Sequence, residues 1–87
     1  MMYPYMILSD ETEITHSHLI RETNTVEVHF ERPTSNGFDT ARCELPSYNW
    51  LIKNGYSDEE ILDFDEFLKD NAHLLFRYAK SGGLSFA

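Results

Sequence analysis

This chain has no second cysteine. Cys43 stands alone, so no internal disulfide can form, and such thiol usage fits a reducing compartment. No apolar run approaches the roughly 20 residues that a membrane helix requires. The first residues lack the basic-then-apolar layout of a secretory leader, which makes cytoplasmic residence the expectation. Basic residues are scarce: seven Lys and Arg face fifteen acids, for a net charge of −8. Such a surface repels phosphate backbones and anionic lipids, which argues against nucleic-acid and membrane partners. It permits a basic protein partner, and it also serves plain solubility.

The motifs of the common enzyme classes are missing as well. There is no nucleophile elbow, no phosphate-binding glycine loop, no zincin helix and no paired-cysteine site. Gly82-Gly83 follows a helical pattern instead of preceding one, so it cannot cradle phosphate at a helix N-terminus. Cys43 falls on the inward side of a strand pattern beside Ala41 and Leu45, the setting of a structural thiol and not of a nucleophile. The chain reads as non-enzymatic, with no cofactor required.

What is present is a globular composition. Hydrophobic residues make up 41% of the chain and aromatics 14% (six Phe, five Tyr, one Trp), enough for one core and too short a chain for two. Residues 1–87 therefore read as a single domain. A domain this small is marginal, and a homodimer partner is one way to supplement it.

Four strand-like segments come first, spread over about residues 3–45. Tyr3 to Leu8 is apolar and reads as buried on both faces, with Pro4 tolerable at an edge. Glu13 to Ile20 is the second strand. Thr25 to Glu31 alternates cleanly, with Val26, Val28 and Phe30 against Glu27, His29 and Glu31. Pro33 to Gly37 ends in the Asn-Gly pair that tight hairpins prefer, and Phe38 to Leu45 follows. Pro46 then reads as the opening of a short helix over about 46–53, closed by Asn54-Gly55.

A long helix is expected over about 57–81. Ser57 and Glu60 match a capping box, Tyr56 and Ile61 stand at staple positions, and Asp58, Glu59 and Glu60 fill the first turn. Arg77 and Lys80 suit the other end, and Gly82 and Gly83 supply the left-handed stop. The expected fold is α+β: an antiparallel sheet of three to four strands, then the short helix and the long helix packed on one face.

Two faces of the long helix exceed what packing on a small sheet requires. Its apolar residues cover an arc of roughly 160°, against about 100° for an ordinary surface helix, with Phe76 at the edge and Leu62 on the polar side. A surplus of this kind suits a partner or a second copy of the chain. On the opposite side Glu59, Asp63, Glu66 and Asp70 form one acidic stripe, although like charges four apart are mutually unfavourable. Glu59, Asp63, Glu66 and Asp70, with Leu62 and Phe76, are therefore the candidate partner-binding residues.

The histidines suggest an alternative. His16 and His18 lie on one side of a strand, about 7 Å apart. If Ile20 pairs with Thr25 in a regular hairpin, His16 faces His29 and His18 faces Glu27. That gathers three imidazoles and two carboxylates, enough donors for zinc or another divalent metal. A register one residue over sends His16 and His18 inward against valines, with Ile14 against Phe30. Three functions follow: an acidic interaction or regulatory module of the antitoxin or inhibitor kind, a metal-binding domain built on His16, His18 and His29, and a homodimeric structural domain whose broad helix arc meets its twin.

Overall fold

The computed structural model describes residues 1–83. Its strands are β1 (Met2–Ile7), β2 (Glu13–Ser17), β3 (Val26–Thr34), β4 (Gly37–Leu45) and β5 (Asn49–Asn54), followed by one helix, α1 (Asp58–Ser81). The strands form a five-stranded sheet in the order β1-β2-β3-β4-β5, every neighbour antiparallel. The α+β class and the antiparallel sheet are as the sequence indicates. The strand count and the short helix are not: residues 49–54 form the fifth strand, and Pro46–Tyr48 is the turn leading into it, entered through a cis Leu45–Pro46 peptide, with Tyr48 at φ 59°.

The inner face of the sheet follows the alternation. Val26, Val28 and Phe30 of β3 and Ala41, Cys43 and Leu45 of β4 are all buried, with Ile14 of β2 beside them. They meet Ile61, Phe64, Leu68, Leu75 and Ala79 of α1. The ring of Phe64 stacks on Phe30 with centroids 4.2 Å apart. The helix lies over β2 and β3.

One helix cannot roof five strands by itself. At about 4.8 Å per strand the sheet is about 19 Å wide, whereas a helix with its side chains measures about 10–12 Å. Large aromatics fill the two flanks. On the β1 side Tyr5 meets Phe67 and Tyr78, and its hydroxyl donates to Asn71 Oδ1 at 2.7 Å. On the β5 side Trp50 meets Phe30 and Phe64. Much of the broad apolar arc of the helix is covered in this way: Ala72, Leu74 and Phe76 are all half-buried, and Ala72 and Phe76 pack against the core.

β1 is an edge strand, not one buried on both faces. Pro4, Met6 and Ile7 are exposed, and the pairing slips between Pro4 and Met6, leaving Tyr5 as an extra residue turned inward. A proline, which cannot donate to a ladder, belongs on such an edge. The β3–β4 hairpin turns on Ser35-Asn36, with Gly37 (φ 145°) opposite Thr34 closing it.

The helix begins and ends as its sequence specifies. Ser57 Oγ accepts from the Glu60 N–H at 3.1 Å, and Glu60 Oε1 accepts from the Ser57 N–H at 3.0 Å. Gly82 takes the left-handed conformation (φ 81°), and its N–H bonds to the Tyr78 carbonyl.

Glu60 also reaches beyond the cap. Its Oε2 accepts from Arg32 Nη1 at 2.6 Å, and Arg32 further donates to Asp39 Oδ2 (2.7 and 3.0 Å) and Asp10 Oδ2 (3.1 Å). The guanidinium lies 4.6 Å from the Tyr56 ring centroid. One side chain of β3 thus ties together the β1–β2 turn, β4 and the start of α1. A Cβ on Gly55 (φ 93°) would strike the Asp39 carboxylate, so the cluster also requires a glycine there.

Hydrogen bonds from the Ser57 backbone and from Arg32 hold the Glu60 carboxyl below the usual carboxylate range. At Asp10 burial pushes upward, but bonds from Thr12 and Arg32 outweigh it and the net shift is again downward. A lowered carboxyl contributes stability that is complete above the unfolded value near pH 4 and is lost as the pH falls through the folded value. Arg32→Met is expected to cost about 2 kcal/mol at neutral pH, between the figures for exposed and buried pairs. Below about pH 4 the variant and the parent should converge. Urea unfolding at neutral and acid pH measures both; a gap that widens in acid would contradict this account.

Candidate functional site

The stripe on α1 is solvent-facing along its length. Glu59, Asp63, Glu66 and Asp70 are all exposed, and none has an ion pair or side-chain hydrogen bond among the described residues. The adjacent pair of mixed sign, Lys69 and Asp65, is bridged at 3.1 Å. Leu62 sits beside the stripe with 65% of its surface exposed. Phe76 does not join it, because it belongs to the flank that covers the sheet. The candidate set therefore separates into an acidic ridge with one apolar neighbour and a residue committed to packing.

A cleft of about 370 Å³ opens where the β1–β2 turn meets the first half of α1. Leu8, Phe64 and Phe67 give it an apolar lining, and Asp10, Glu60 and Asp63 supply carboxylates, with Ser9 completing the wall. Asp63 belongs both to this cleft and to the ridge. The cleft residues contributed by the turn carry no mark in the sequence, because Asp10 and Glu60 lie far apart in the chain and meet only through Arg32. A lone arginine following an alternation of apolar and polar residues is the available hint.

The three imidazoles do not converge. The pairing has Ile14 opposite Phe30 and His16 opposite Val28, while Ile20 still bridges Thr25. Four steps from His16 to Ile20 thus run against three from Val28 to Thr25, so the strand contains an extra residue. Ser17 occupies the irregularity: its Oγ accepts from the Glu27 N–H at 3.0 Å and donates to the His18 carbonyl at 2.8 Å. Beyond it, the Leu19 N–H turns away to the Ala79 carbonyl of α1.

His16 is consequently buried between Tyr3 and Tyr5, with Nδ1 donating to the Ser17 carbonyl at 2.8 Å and Nε2 facing no polar partner. His18 is exposed. His29 lies on the outer face of the sheet, where its Nε2 donates to Glu27 Oε1 at 2.7 Å. Among the described residues no three His, Cys, Asp or Glu side chains are grouped as metal ligands.

Cys43 is fully buried on the inner face. Burial, reinforced by Asp65 and Glu44, pushes its thiol up to about 12. The thiolate is the reactive form, so the native protein should resist alkylation at neutral pH and react only on unfolding. Iodoacetamide labelling read by mass spectrometry, with and without urea, checks this; rapid modification of folded protein would refute it. No family model, no curated protein and no solved structure matches this chain.

Proposed function

We propose that the protein is a small acidic interaction module that docks a basic protein partner on the exposed ridge of α1, in the manner of an antitoxin or inhibitor. The observation that supports this reading is the run of four carboxylates, Glu59, Asp63, Glu66 and Asp70, exposed and unpaired among the described residues. Spacing of this kind is slightly unfavourable for the isolated helix. A complementary cation surface converts that repulsion into attraction and speeds encounter. Leu62 beside the ridge supplies an apolar contact at its edge.

Self-association through the helix is the weaker fit. The broad arc is occupied by the sheet, and Leu62 is the one large apolar residue of α1 left exposed among the described residues. No helix of the described residues is long and apolar enough to cross a membrane, and the docking reading places the protein in the cytoplasm beside a soluble partner.

The double substitution Glu66→Lys and Asp70→Lys is expected to abolish capture of basic proteins from a lysate of the native host. Its Tm should be unchanged or slightly raised, because it relieves like-charge contacts worth a few tenths of a kcal/mol each, on the order of the helix-pair values. Affinity capture with mass-spectrometric identification, alongside a melting curve, makes the comparison. Equal capture by the double variant would exclude the ridge.

A further inference from the structure

The cleft beside the ridge has a composition that the ridge lacks, apolar side chains together with carboxylates. Leu8, Phe64 and Phe67 line it, while Asp10, Glu60 and Asp63 stand around it. Its volume, about 370 Å³, is at the low end for ligand sites, large enough for one long side chain and small for a dinucleotide or haem. The local charge is one-sided. Arg32 is the one cation bridged to Asp10, Asp39 and Glu60, and Asp63 has no ion pair or hydrogen bond among the described residues.

The protein already shows how this neighbourhood accommodates a guanidinium. Arg32 sits over the Tyr56 ring with its donors on Glu60, Asp39 and Asp10. These bonds also orient Glu60 and Asp10, so two of the cleft's carboxylates are already held by Arg32. An incoming side chain with an apolar stem and a planar cationic head matches what is left: stem along Leu8 and Phe67, head towards Asp63.

We infer that the cleft is the receptor for an arginine side chain, presented by a basic segment of the partner that lies along the ridge. The inference rests on the docking reading above and adds its anchor point. The ridge supplies long-range attraction, and the cleft supplies the buried contact that fixes position. Asp63 joins the two, because it is both the third wall of the cleft and the second acid of the ridge.

The test uses the full chain, isotopically labelled, and an amidated octapeptide alternating arginine and glycine, with its lysine and citrulline counterparts. Arginine peptide should shift the amide signals of Ser9, Asp10, Asp63, Phe64 and Phe67 together and saturably. Citrulline peptide should shift none of them, and lysine peptide should bind several-fold more weakly. Asp63→Asn should weaken the arginine peptide at least about fivefold, as loss of a charge-assisted bond does, with its Tm and remaining spectrum unchanged. If the shifts map to Glu59, Glu66 and Asp70 and spare the cleft, the receptor is refuted while the ridge stands. Equal binding of the citrulline or lysine peptide refutes arginine recognition. No saturable shift anywhere with millimolar peptide removes both the cleft and the ridge.

Discussion

The central constraint on this fold is that a single helix must cover the inner face of five strands. A sheet about 19 Å wide under a helix about 10–12 Å thick leaves both margins open. Four aromatics answer to that mismatch: Phe30 and Phe64 stack at the centre, while Tyr5 and Trp50 extend the cover outward. The same shortfall leaves Met6, opposite Ile14 at the β1 edge, partly exposed. It also explains why the apolar arc of α1 is so broad.

Charge is organised as asymmetrically as the core. Arg32 gathers three carboxylates at one end of the molecule, from the β1–β2 turn, from β4 and from the helix cap. Glu60 serves twice there, closing the capping box and receiving the guanidinium, so the start of the helix and the end of β3 are positioned by one acid. On the exposed side of α1, Glu59, Asp63, Glu66 and Asp70 receive no such compensation among the described residues. Repulsion tolerated on one face beside tight pairing a few residues away is the contrast that makes the ridge a candidate for recognition.

Local rules made parts of this fold legible. Caps act through neighbours in sequence, and both ends of α1 stand where Ser57, Glu60 and Gly82 place them. Strict alternation in β3 gave its inner face directly. The misreadings within the sheet fall where a strand carries an extra residue. In β5 the pairing slips between Arg42 and Cys43, which leaves Leu51 outside the alternation of Trp50 and Ile52; without period two, Pro46 to Gly55 resembles a capped helix. In β2 the irregularity at Ser17 puts His16 and Ser17 both in the interior and sends His18 out, a pattern no regular register contains. The cleft was hidden for a different reason, since its walls come from segments far apart in the chain.

The order of elements along the chain has a consequence for biosynthesis. All five strands precede the helix that covers them. At ordinary translation rates the 24 residues of α1 take about one to five seconds to add. During that interval the side of the sheet carrying Val28, Phe30, Cys43 and Leu45 has no intramolecular cover. The nascent sheet is therefore at its stickiest until the helix has been added, and a chain interrupted within α1 would leave an aggregation-prone sheet. Pro4 on the outermost strand guards one route, edge-to-edge pairing, but only the arrival of Leu68 and Leu75 closes the face.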